Sequence, residues 1–176
     1  MNVVHDLTTG NPPDEINVFI EIPRGSKNKY ELDEDTGVIV LDRVVPTAFV
    51  YPVDYGLVPR THWHDGDAID AMIINRAEPY YPGTVVPARP IAVLRMVDSG
   101  EKDEKVLCVP AGDAGMVHIK DKSDVSPVVL DEIKHFFEHY KDLQGKKVTI
   151  EAIEGRDAAV KVIEEGIALY EKKHGK

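Results

Sequence analysis

The sequence predicts an α+β fold, a small closed or nearly closed β-barrel with two C-terminal helices packed on it. Short runs rich in Val and Ile, punctuated by Pro and Gly, occupy residues 16–109. Helical 3.6-residue periodicity begins only after residue 126. Strands first and helices last is the order of an α+β domain, not of an alternating βαβ sheet. The 176 residues suffice for one sizeable core, and no repeat or linker-like stretch divides them, so 1–176 reads as a single domain.

Ile16 to Ile22 reads as a strand, ended by Pro23-Arg24-Gly25. Lys29 to Leu32 and Val38 to Arg43 flank Asp33-Glu-Asp-Thr-Gly37, whose turn chemistry predicts a hairpin. Ala68 to Asn75, Thr84 to Val97 and Lys105 to Val109 follow as strands, and Pro87 and Pro90 imply a bend or an open edge in the long one. Ser126-Pro127 starts a helix, with the hydroxyl expected as N-cap and proline at the first helical position. Val129, Ile133, Phe136, Phe137 and Tyr140 form its apolar stripe, and Gly145 suits its stop. Lys147 to Ile153 is a last strand. Arg156 to Lys173 is a second amphipathic helix, with Ala159, Val162, Ile163, Gly166 and Tyr170 on one face.

Composition excludes several function classes. Asp and Glu number 31 against 21 Lys and Arg, a formal net charge of −10. Such a chain suits neither nucleic-acid backbones nor anionic membrane surfaces. One cysteine, Cys108, lies in an apolar run and reads as an inert core thiol. The first residues lack a basic and an apolar signal region, and no stretch approaches the ~18 apolar residues of a bilayer span. A cytoplasmic protein is expected.

Asp65-Gly-Asp67-Ala-Ile-Asp70 is the most informative segment. In an extended chain Asp65 and Asp67 project from one face, and a turn at Gly66 brings Asp70 round to them. Three carboxylates this close need raised pKa values, cationic neighbours or a metal. Oxygen donors alone favour Mg²⁺, Mn²⁺ or Ca²⁺. An EF-hand fails, because Asp70 stands where glycine is needed and Arg76 where the bidentate Glu belongs. An aspartyl-phosphate phosphatase fails for want of a preceding apolar strand and a βαβ pattern. Asp98, directly after the Ile91 to Val97 strand, and Asp103, entering the next one, form a second acidic group that a barrel could bring against Asp70. Lys29 and Glu31 share a strand face, Arg43 ends the partner strand, and Tyr51 and Tyr55 follow. Carboxylates ringed by Lys, Arg and Tyr donors suit phosphoryl transfer.

His135-Phe-Phe-Glu138-His139 matches the HxxEH pattern of inverted zinc peptidases, an alternative reading on a helix whose Phe136 and Phe137 the core requires. A non-catalytic OB-type binding module is a second alternative, which the acidity disfavours.

The order of these motifs resembles the soluble family I inorganic pyrophosphatases of the short prokaryotic type. Its anchors are Ile20-Glu-Ile-Pro23, Lys29-Tyr-Glu31, Leu41-Asp-Arg43, Tyr51-Pro-Val-Asp-Tyr-Gly56, Asp65 to Asp70, Ala88-Arg-Pro90, Lys120 and His135 to Lys141. The resemblance implies a five-stranded OB-like closed β-barrel, hydrolysis of pyrophosphate with Mg²⁺ (Mn²⁺ or another divalent ion as substitute), and a homo-oligomer, usually a hexamer. It implies Asp65, Asp70, Asp98 and Asp103 as metal ligands, with Glu31 reaching an ion through water. Asp67 resembles the general base. Lys29, Arg43, Tyr55, Lys105, Tyr140 and Lys141 resemble the pyrophosphate clamp, Tyr55 also being a catalytic candidate, and Glu21 and Tyr51 line the pocket. Ser99, Ala68 and Ala152-Ile153 depart from the family's usual residues.

Overall fold

The computed structural model describes residues 2–175. In chain order its elements are α1 (Val3–Asp6), β1 (Gly10–Asn11), β2 (Glu15–Ile22), β3 (Asn28–Asp33), β4 (Val38–Val44), β5 (Asp54–Leu57) and β6 (Asp70–Ile73). Then come β7 (Val85–Asp98), β8 (Glu101–Lys102), β9 (Lys105–Pro110), α2 (Pro127–His139), β10 (Val148–Gly155) and α3 (Arg156–His174). Strands pair in the order β2–β5–β6–β9–β7, and β7 returns to pair β2, so five strands form a ring. All these pairs are antiparallel except β6 and β9, which run parallel with Asp70 opposite Lys105. The hairpin β3–β4 stands apart as its own two-stranded sheet.

Alternation along the ring strands divides the core into two faces. Met72, Leu94 and Leu107 pack with Ile133, Phe136, Phe137 and Tyr140 of α2 and its end. Ala71, Val93, Val106 and Cys108 point the other way and pack with Ala159, Val162 and Ile163 of α3. β9 and the second half of β7 are covered on both faces, which is why they read as nearly continuous apolar runs.

Several boundaries differ from the sequence expectation. β5 was not anticipated: it is four residues long and holds an Asp and a Gly, both poor strand formers. Its formation is a tertiary effect. Fully buried Asp54 accepts from the backbone N–H of Arg24 (2.9 Å) and Tyr80 (3.1 Å) and pairs with Asn75. Gly56 lies so close to β2 that a Cβ would sit 1.9 Å from the Phe19 carbonyl oxygen. β6 is shorter than Ala68 to Asn75, because Ala68 and Ile69 belong to the carboxylate loop. Pro127 occupies the start of α2, but the Ser126 hydroxyl makes no capping bond. That helix stops at His139, and Gly145 (φ +67°) ends a separate 3₁₀ turn at Asp142–Gln144. The long strand bends as its prolines imply, with a bulge between Pro90 and Ala92.

Cys108 is fully buried, and burial pushes its thiol up. Iodoacetamide is expected to leave the native chain unlabelled and to modify Cys108 only in guanidinium, read by mass spectrometry. Stoichiometric labelling of the folded chain would contradict this.

Candidate active site

The parallel pairing of β6 and β9 sets the site. Parallel strands begin at the same end, so the loop entering β6 (Asp65, Asp67) and the turn entering β9 (Asp103) emerge side by side. Lys105 lies between them: its Nζ donates to Asp70 Oδ2 (2.6 Å), Asp103 Oδ1 (2.7 Å) and Tyr55 Oη (2.9 Å). The hairpin closes a second wall. Lys29 faces Arg43 in register and pairs with Glu31 and with Asp42 (3.1 Å), while Arg43 Nη1 donates to Asp42 Oδ2 at 2.7 Å. The end of α2 supplies the third wall, where Tyr140 lies against Phe136 and Lys141 pairs with Asp98. Between the walls is a cavity of about 340 Å³, lined by Glu21, Glu31, Asp65, Asp67, Asp70 and Asp103 together with Lys29, Arg43, Lys105 and Lys141.

Burial and charge act unevenly on these groups. Burial, with the neighbouring Asp103 and Asp70 carboxylates, pushes Asp65 up to about 6. Burial also raises Asp103, against the opposing pull of Lys105. Burial alone would lower the Lys105 ammonium, but Asp70 and Asp103 hold it well above the usual lysine range. At Asp98 the Lys141 ion pair outweighs burial and holds the carboxyl below its ordinary value. Burial keeps the Tyr55 and Tyr140 hydroxyls protonated.

A family model described as inorganic pyrophosphatase matches residues 18–171. A relative from Aquifex pyrophilus named inorganic pyrophosphatase is 47% identical, over 97% of this chain and 98% of its own length. One of the same name from Picrophilus torridus is 42% identical, over 98% and 97%. The chain belongs to the inorganic pyrophosphatase family. Membership makes it a hydrolase of the inorganic diphosphatase class. The crystal structure of inorganic pyrophosphatase from Thermus thermophilus superposes with a TM-score of 0.93 at 42% identity, covering 97% of this chain and 99% of that one. The predicted OB-like architecture is borne out by this likeness and by the five-stranded ring.

Of the residues that the resemblance to inorganic pyrophosphatases singled out, all but two line the cavity. Asp98 is joined to it through Lys141. Tyr51 is buried behind the wall, its ring 5.6 Å from that of Tyr55 in an edge-on contact. Asp42 was missed, although it bridges Lys29 and Arg43; its place next to Arg43 on a strand paired to Lys29 was the available signal. Tyr30, Leu32 and Leu57 also line the wall, and nothing in their residue types marks them as functional. The zinc-like motif resolves differently. His139 Nδ1 lies 2.9 Å from Asp142 Oδ2, Glu138 lies 3.8 Å from Lys134, and His135 meets Phe49 edge-on.

The donor set fits a hard divalent ion: every candidate ligand is a carboxylate, and two of them resist ionisation where they sit. Among the described residues no three His, Cys, Asp or Glu side chains gather tightly enough to hold an ion. In the pocket, the lysines intervene: Lys105 bridges Asp70 and Asp103, and Lys141 holds Asp98.

Burial pushes the Glu21 carboxyl up to about 8, against the pull of the Leu32 N–H that it accepts at 2.7 Å. The folded chain thus keeps a proton that the unfolded chain releases near pH 4.5. Stability is withdrawn as pH rises from about 4.5 to about 8, and no further above it. Glu21→Gln retains the acceptor for Leu32 and removes the titration. Its metal-free melting temperature is expected to fall less than that of the wild type across this window. Parallel melting curves for the two proteins would contradict it.

Proposed function

We propose that the chain, acting as one domain over residues 1–176, hydrolyses inorganic pyrophosphate to two orthophosphates by direct attack of water, with Mg²⁺ as its ion and Mn²⁺ as a substitute. The observation that carries this reading is one cavity lined by Asp65, Asp67, Asp70 and Asp103 together with Lys29, Arg43 and Lys141. The relatives' shared name supports the substrate.

Asp65, Asp70, Asp98 and Asp103 would hold the divalent ions, with Glu31 reaching one through water. When bound, such ions supply positive charge for phosphate oxygens and lower the pKa of water from ~16 toward ~7. Asp67 is exposed at the cavity wall and takes the proton of the attacking water. Lys29, Arg43 and Lys141 bind the outer oxygens of the substrate and orient it. Tyr55 accepts from Lys105 and keeps its hydroxyl proton, with the Asp70 carboxylate beside it. Tyr140, protonated for the same reason of burial, donates from the opposite wall. Charge developing on the departing phosphate falls among these donors, where it is stabilised without reorganisation. No side-chain nucleophile takes part in this scheme.

The test is phosphate release from pyrophosphate by purified protein with Mg²⁺ or Mn²⁺. Release that requires the ion supports the reading, and none with any divalent ion overturns it. The same family reading extends to a cytoplasmic homohexamer. Sedimentation as a monomer would remove that part. Among the described residues no helix is long and apolar enough to cross a membrane.

A further inference from the structure

We infer that Trp63 and Glu104 form a positioning strut that fixes the two carboxylate-bearing segments of the site relative to each other. Trp63 Nε1 donates to Glu104 Oε2 at 2.6 Å, and both side chains are buried, 4% and 6% exposed. Each stands at the root of one segment. The Trp63 N–H donates to the Asp67 carbonyl (2.7 Å) and its carbonyl accepts from Gly66 N–H (3.1 Å), so its backbone closes the turn bearing Asp65 and Asp67. Glu104 lies between Asp103 and Lys105, which both face the cavity. Strand alternation sends its own side chain to the other face, among the residues that pack on α3.

The backbone ladder joins β6 to β9 only from Asp70 and Lys105 onward. Upstream of that point, the indole–carboxylate bond links the two entering segments across the ring's other face. Arg95 steadies the acceptor: its Nη1 lies 3.5 Å from Glu104 Oε1, and its Nε donates to Glu154 Oε2 at 2.7 Å. Trp63 is further held among Ile69, Val106 and Ile163. Neither residue touches the cavity, so neither can act on substrate directly. A carboxylate group that must converge on an ion depends on such outer contacts for its geometry.

This inference rests on the divalent-ion reading of the site, and the experiment separates the two. Mg²⁺ is titrated into metal-free wild type, Trp63→Phe, Glu104→Leu, Glu104→Gln and the Trp63→Phe/Glu104→Leu double variant, followed by calorimetry. Trp63→Phe and Glu104→Leu are each expected to weaken Mg²⁺ binding about 10–100-fold, the effect of losing an outer-shell partner. The double variant is expected to bind no worse than the weaker single, because one bond is lost in both. Glu104→Gln keeps an acceptor oxygen and is expected to recover affinity toward wild type. Trp63 is the chain's one tryptophan, so its emission also reads the contact; Mg²⁺ is expected to shift it in wild type and not in Glu104→Leu. Unchanged Mg²⁺ affinity in Trp63→Phe and Glu104→Leu overturns the strut, even if both melt lower. Additive losses in the double variant overturn it as well. If wild type itself binds no divalent ion, the reading of the site falls and the strut with it.

Discussion

Asp67→Asn is expected to lower phosphate release from pyrophosphate at saturating Mg²⁺ by about 10²–10⁴-fold, the range associated with a positioned general base. Asn has the same shape and still accepts a hydrogen bond, but it cannot take a proton from water. Asp70 and Asp103 are engaged by Lys105 and Asp98 by Lys141, while Asp65 accepts from the Asp67 backbone N–H and burial raises its pKa. Asp67 is instead exposed at the cavity, one residue from the Gly66 turn. Because it is exposed, the substitution is expected to change folding stability by less than about 0.5 kcal/mol. The loss should fall on kcat, with the Mg²⁺ concentration for half-maximal rate little changed. Steady-state kinetics over a Mg²⁺ series separates these effects. Turnover equal to wild type would remove Asp67 from the base role.

Lys105→Met is expected to destabilise the metal-free protein by about 3–5 kcal/mol, the cost of breaking a buried ion pair from one side. Lys105 is 2% exposed and neutralises two carboxylates while donating to Tyr55. Met fills much of the same volume, so the loss is electrostatic and not a cavity effect. For a chain of this length, that corresponds to a fall in Tm of about 6–20 °C. Divalent ions can take over the neutralisation of Asp70 and Asp103. Mg²⁺ is therefore expected to raise the melting temperature of Lys105→Met more than that of wild type. Thermal melts with and without Mg²⁺ measure both effects. An unchanged metal-free Tm would show that Lys105 contributes nothing to holding the carboxylates.

Much of this site was legible because its chemistry depends on residue types in short motifs. Asp65, Asp67 and Asp70 lie within six residues, and Lys29 and Glu31 within three, so local geometry alone sets them side by side. Helices α2 and α3 were legible for a similar reason, since an apolar stripe at 3.6-residue spacing needs no partner to be recognised. β5 was not, because Asp54 and Gly56 read as turn residues until the Arg24 and Tyr80 N–H groups and the β2 backbone come against them. Asp42 was missed because its contact with Lys29 exists only once β3 and β4 pair. The ordinary look of Glu104, one charge in an acidic turn, hid its bond to a tryptophan 41 residues away.

The strand-then-helix order sufficed for the α+β fold class, since it depends on local periodicity, while the candidate site residues came from the resemblance of short motifs to those of the inorganic pyrophosphatases. The tertiary structure decided which charges neutralise one another. Lys105 and Lys141, which the resemblance implies as substrate ligands, pair with three of the acidic groups. That pairing arises because a parallel β6–β9 register and the end of α2 bring together residues up to 43 positions apart. Coulomb interaction and desolvation depend on distance and burial, which sequence separation does not report.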